Sequence, residues 1–172
     1  MKISPAKIAS PLLLLRTYKL SDASALFSLI DSNKEMLQNY FPMSVENTTS
    51  VMASRKYIFE RNSDRKNGKS LFAGIFTPDG KQLIGQICAK DVNWRVPKCE
   101  MGYFIDKNFF QKGIGTEALR LFSDHCFEKL AMEKITLRIE PQNIASKKLA
   151  KNCGFEMIGL AKNDFRSSTG RL

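Results

Sequence analysis

A chain of 172 residues with 43% apolar content and 12 phenylalanines can bury a core without staples, which excludes a disordered or low-complexity scaffold. Four dispersed cysteines with no C-x-x-C pair exclude zinc ribbons and thioredoxin-type motifs, and the longest aliphatic run, Leu12 to Leu15, falls far short of the ~20 residues of a membrane-spanning helix. The charge is the unusual quantity: 27 Lys and Arg against 17 Asp and Glu leave +10, a surplus that favours nucleic acid, a membrane surface or a phosphate-bearing ligand.

Residues 11–19 are apolar and bounded by Pro and Ser, which predicts an opening strand. Arg16 follows the leucine run too soon for a signal-peptide core, so a soluble cytoplasmic protein without a membrane partner is expected. Ser21 and Asp22 stand as caps before Leu26, Leu29 and Ile30, which share one face of a helix. A second helical region is expected over 47–65, with Val51, Tyr57 and Ile58 inward and a basic outer face. Strands over 70–77 and 81–92 flank Pro78-Asp79-Gly80-Lys81, whose Pro and Gly supply the dihedrals of a turn. Residues 99–106 form the third strand of that meander. Then the period changes: Ile114, Ala118, Leu121, Phe122 and Cys126 fall at helical spacing through residue 129. A strand over 134–140, a helix over 144–151 and a strand over 155–160 complete the order β-α-α-β-β-β-α-β-α-β. This is an α/β mixed architecture in which an antiparallel meander leads into a βαβ unit. No repeat or linker divides the chain, so a single domain over 1–172 is expected, its core spanning 12–166.

The most informative segment joins the third meander strand to its helix: Asp106-Lys107-Asn108-Phe109-Phe110-Gln111-Lys112-Gly113-Ile114-Gly115-Thr116-Glu117-Ala118. The first amides of a helix have no intrahelical acceptors, and the macrodipole adds positive potential, so such a start suits a phosphate. A glycine lets phosphate oxygens approach those amides without a Cβ in the way. By itself Gly113-Ile114-Gly115 is equally compatible with an ordinary helix start. The third glycine of a dinucleotide fingerprint is missing, and Asn67-Gly68-Lys69-Ser70 is no Walker loop because Ser63 stands where its first glycine belongs.

Three segments together resemble the GNAT acyltransferases. Lys112-Gly113-Ile114-Gly115-Thr116-Glu117-Ala118 resembles that family's motif A, and Glu100-Met101-Gly102-Tyr103-Phe104-Ile105 its E-x-G-Y strand. Residues 140–155, with Asn143, Ser146 and Gly154-Phe155, resemble its N-x-x-S…G-F segment, in the version of the RimJ/RimL branch of ribosomal-protein N-terminal acetyltransferases. The resemblance implies the acyl-CoA N-acyltransferase fold: a central, mostly antiparallel, splayed sheet with helices on both faces. It implies transfer of the acetyl group of acetyl-CoA, as cosubstrate and with no metal, to a primary amine. A protein N-terminal α-amine is the expected acceptor. The alternatives are a small amine such as an antibiotic, amino acid or polyamine, or a catalytically silent CoA- or RNA-binding module.

By the same resemblance, the amides around Gln111, Lys112, Gly113, Ile114, Gly115 and Thr116 wrap the pyrophosphate, and the strand edge with Phe104 and Ile105 pairs with the pantetheine arm. Relatives often place Arg or Gln three residues before the first glycine; here that residue is Phe110, which points to a main-chain phosphate site. Ser146 is the candidate donor to the leaving sulfur. Asn143 is a candidate to orient the cofactor arm and equally a helix N-cap, and the two roles are compatible. Glu100 is the candidate general base, against the alternative of an exposed strand carboxylate, with Glu140 a second carboxylate of similar claim.

Other residues stay in structural roles. His125 is the only histidine and has no triad or metal partners, and Cys153 is expected to pack. Trp94, Tyr40 and Phe41 are core aromatics or the lining of an acceptor pocket. The basic stretch Arg55, Lys56, Arg61, Arg65, Lys66 and Lys69 reads as a solvated face, open to a ribosomal or other acidic partner. Relatives continue into one more strand after 155–160, so here that strand is absent, rearranged or supplied by another subunit of a monomer-or-homodimer assembly.

Overall fold

The computed structural model describes residues 2–162; the last residues of the expected core, 163–166, lie outside them. Six strands form one sheet in the order of the sequence: β1 (Lys7–Ala9), β2 (Leu14–Thr17), β3 (Leu71–Phe76), β4 (Leu83–Asn93), β5 (Lys98–Ile105) and β6 (Lys134–Leu137). Neighbours pair antiparallel except β5 and β6, which are parallel and joined by α5 (Ile114–Leu130). Helices α1 (Ala23–Ser32), α2 (Lys34–Tyr40), α3 (Pro42–Glu46) and α4 (Val51–Lys66) come between β2 and β3, and α6 (Ile144–Asn152) follows β6.

The sheet separates two cores. Leu15, Ile75, Ile87 and Met101 pack with Ala118, Leu119 and Phe122 of α5 on one face. Leu26, Ile30 and Ile58 of α1 and α4 pack with Phe76 and Phe104 on the other. This is the α/β arrangement expected, with helices on both faces.

Several local expectations change. The strand β1 and the helices α2 and α3 carry little burial of their own, so no periodicity marks them; α2 buries only Leu37 and α3 only Ser44. The helix expected from residue 47 begins at Val51, because Ser50 caps it by accepting from the Ala53 amide at 3.1 Å. Asn47 instead closes α3, its side-chain amide donating to the Met43 carbonyl at 2.6 Å. β6 ends at Leu137, short of residue 140, since its last partner on β5 is Met101. Residues 155–160 form no strand. Met157, Ile158 and Leu160 are 77%, 83% and 60% exposed, and among the described residues no ladder takes that segment's amides.

Candidate active site

β5 ends at Ile105, and Asp106 stops it by accepting from the Asn108 amide at 3.0 Å, opening a short 3-10 turn over Lys107–Phe109. The chain then reaches α5 through two left-handed residues, Gln111 at φ 60° and Gly113 at φ 75°. This alternation curls the backbone so that successive amides converge, the geometry of an anion nest. Among the described residues no group accepts from the amides of 111–116, and Gly113 provides no side-chain cap for α5. The dipole of a 17-residue helix points its positive end into the same concavity. Lys112 is anchored beside it, donating to the Asn108 carbonyl at 3.0 Å and lying 4.7 Å from the Phe109 ring centroid.

The two glycines serve different needs. A Cβ on Gly113 would meet nothing closer than 4.0 Å, so it is the positive φ that calls for glycine. On Gly115 a Cβ would lie 2.7 Å from Leu149 Cδ1, so glycine there lets α6 approach α5. Cys153 reinforces the approach, its thiol donating to the Thr116 carbonyl at 3.5 Å.

β5 and β6 splay. Their pairing stops at Met101–Leu137, whereas β5 continues to Ile105, which leaves one backbone edge of 102–105 without a strand partner among the described residues. Strand alternation then sorts the side chains. Glu100, Gly102 and Phe104 face α1 and α4, while Met101, Tyr103 and Ile105 face α5 and α6. Phe104 and Ile105 are themselves buried, so only their main chain can serve a ligand at this edge.

On the α6 side, Asn143 caps the helix: its Oδ1 accepts from the Ser146 amide at 3.1 Å. Ser146 Oγ lies 2.8 Å from the hydroxyl of Tyr103, a half-buried phenol. Burial pushes the Tyr103 phenol above its ordinary pKa, opposed by the bond to Ser146. On the other face, Glu100 is 9% exposed and has both carboxylate oxygens engaged, by Lys90 Nζ at 2.9 Å and Arg138 Nε at 2.8 Å. Glu140 is exposed in the turn before α6, where its carbonyl accepts from the Asn143 amide.

The structure therefore brings 111–116, the β5 edge, Asn143 and Ser146 around one end of the sheet, with Glu100 across the sheet from Ser146. Four participants escaped sequence reasoning: Lys90, Arg138, Asn33 and the side chain of Tyr103. Nothing in local spacing joins them. Asn33, 2% exposed, accepts from the Lys107 amide at 3.0 Å and donates to the Leu29 carbonyl at 2.9 Å, pinning the α1–α2 corner to the end of β5. An open cleft of about 780 Å3 lies there, lined by Asn33, Lys34, Tyr40 and Lys107 among others. Phe41 packs on Phe104, ring centroids 5.4 Å apart, and covers Gly102. Trp94 is elsewhere, donating to the Gly68 carbonyl at 2.8 Å. His125 stacks on Phe122, and burial lowers its pKa.

Residues 13–156 match the acetyltransferase (GNAT) domain family. YdaF of Bacillus subtilis (strain 168) is 30% identical over 152 residues, 87% of this chain and 80% of its own length. The [ribosomal protein uS5]-alanine N-acetyltransferase of Escherichia coli (strain K12) is 25% identical over 94% of this chain and 84% of its own. Mycobacterium smegmatis RimJ, solved in complex with CoA-disulfide, superposes with a TM-score of 0.84 over 95% of this chain and 80% of that one, at 22% identity. The family match covers most of the chain, and the chain belongs to that family: it is a GNAT N-acetyltransferase, an acetyl-CoA-dependent acyltransferase.

Proposed function

We propose that the acceptor is a protein N-terminal α-amine, attacked onto the thioester of acetyl-CoA directly. The observation that carries this is the state of Glu100, one residue before the last β5–β6 pair, whose two oxygens are both held by cations. Each oxygen already holds a cationic donor, so an amine reaching it for help must share it with Lys90 or Arg138. An α-amine with a pKa of ~7.7–8.0 is partly neutral at physiological pH, whereas a lysine at ~10.4 is not, so the α-amine needs the least assistance. The name of the Escherichia coli relative, an alanine N-acetyltransferase of a ribosomal protein, supports the same acceptor class.

In this scheme the amides of 111–116 hold the pyrophosphate and the free edge at 102–105 receives the pantetheine amides like an added strand. Asn143 orients the arm while capping α6. The neutral amine enters from the Glu100 and Phe41 side and adds to the carbonyl carbon. The tetrahedral adduct gives its ammonium proton to solvent water and collapses, and the C–S bond breaks with its electron pair on sulfur. Ser146 donates a hydrogen bond to the departing thiolate, which takes a proton from solvent to leave as the CoA thiol. Glu100 accepts from the amine, directly or through a water, on a lone pair that its cationic partners leave open.

The test is thiol release from acetyl-CoA with a panel of peptides and small amines. Release is expected with peptides bearing a free α-amine and is lost when that amine is blocked, even if lysine side chains remain. Release with small amines alone overturns the protein acceptor. Absence of release, with CoA still bound, favours a silent CoA-binding module.

A further inference from the structure

We propose that Tyr103 is a positioning residue for the leaving-group side of the reaction, acting through Ser146; this rests on Ser146 being the donor to the departing sulfur. Tyr103 lies on β5 beyond Met101, in the stretch that β6 has already left, so its side chain stands at the splay on the α6 face. Its hydroxyl is 2.8 Å from Ser146 Oγ and 3.5 Å from the Ser146 carbonyl. Of these two, the Oγ contact is the strong one.

A hydroxyl pair can be read in either direction, and acidity decides it. A phenol is a far stronger acid than an aliphatic alcohol, so the favoured arrangement has Tyr103 donating and Ser146 Oγ accepting. Burial keeps the phenol protonated and therefore able to donate. The Ser146 hydrogen is then left for another acceptor. Without the phenol it has local competition: Ser146 is the third residue of α6, where a hydroxyl readily turns back to a backbone acceptor of the preceding turn. Asn143 fixes the Ser146 backbone by accepting its amide, and Tyr103 fixes its side chain. Together they hold an O–H aimed outward at the start of α6, where a leaving thiolate gains most from a donor already in place. No proton need leave the phenol in this role.

Tyr103→Phe removes one oxygen and keeps the ring, so it isolates the contact. The experiment compares wild type, Tyr103→Phe, Ser146→Ala and the double variant by steady-state thiol release with an accepted amine, with CoA affinity from calorimetry. Tyr103→Phe is expected to lower kcat about tenfold, the size of one hydrogen bond, with CoA affinity and the KM for acetyl-CoA unchanged within roughly twofold. Adding it to Ser146→Ala should cost nothing further, because the two act as one unit. If Ser146→Ala is impaired while Tyr103→Phe turns over like wild type, or if the two losses multiply, the Tyr103 proposal falls and the Ser146 assignment stands. If Ser146→Ala itself keeps wild-type kcat, the reading beneath it fails. Lost CoA binding in Tyr103→Phe makes the phenol a structural prop and overturns the proposal as well.

Discussion

Asp22 shows how one side chain can serve a purpose different from its sequence position. It precedes α1 as an N-cap residue, yet its carboxylate turns backward and caps nothing in that helix. It accepts from Arg16 through two bonds at 2.7 and 2.9 Å and from the Lys19 amide at 2.7 Å. Burial opposes its ionisation, but the Arg16 bond and the Lys19 amide outweigh it and hold the carboxyl below the ordinary aspartate range. A group whose folded pKa is depressed stabilises the fold above its unfolded pKa of ~3.9 and loses that contribution as pH falls through the folded value. Wild type should therefore exceed Asp22→Asn in urea midpoint near neutral pH, and the gap should close in strong acid. A gap independent of pH would show that charge is not what Asp22 contributes. Asn143 caps α6 through its Oδ1, which leaves its side-chain amide nitrogen for the compatible cofactor role.

At the scale of the element, the start of α5 concentrates the most chemistry in the fewest residues. Gly113→Ala forces a Cβ into the left-handed region at φ 75°, at a cost of about 1–2 kcal/mol. A Tm drop of roughly 2–8 °C is expected for a chain of this size, together with weaker CoA binding by calorimetry, since relaxing the strain also turns amides out of the nest. Unchanged CoA affinity would remove 111–116 from the phosphate site. This element was readable because its signals are local: helical periodicity from Ile114, two glycines and no side-chain cap. α2 and α3 were not readable, each burying one residue and lacking a stripe. The segment 155–160 failed for another reason. An apolar stretch marks a candidate strand, whereas a strand also needs a partner ladder.

Across the whole molecule, the sheet divides the interior into two cores, and Phe122 of α5 is fully buried in the one beneath the splay. Phe122→Ala should cost about 3–5 kcal/mol, a large part of the ~5–15 kcal/mol that holds a domain together. Urea unfolding should show a lower midpoint with an unchanged slope. A loss below about 1 kcal/mol would mean that the core collapses around the cavity. The surplus of charge also resolves in part at this scale. Arg65 donates to the Ile3 carbonyl at 2.6 Å, and Arg61 lies 5.3 Å from both the Tyr57 and Phe72 ring centroids while meeting Asp64 at 3.3 Å. Two cations of the basic stretch therefore stitch the tertiary structure. Arg55, Lys56, Lys66 and Lys69 remain exposed. Among the described residues no helix is long and apolar enough to cross a membrane.

Length and periodicity determined the order of most elements, and three short motifs carried the family and marked the glycine turn that opens α5. Those features arise from residues within a few positions of one another, so the sequence carries them directly. Tertiary structure alone decided what the reactive side chains touch. Tyr103 meets Ser146 across 43 positions, and Asn33 meets Lys107 across 74. Glu100 is held between a strand neighbour and an arginine just beyond β6. Tyr103 can reach Ser146 because β6 leaves β5 after Met101, and Glu100 meets Lys90 because the register of β4 and β5 sets them opposite, consequences of sheet pairing that no local pattern contains.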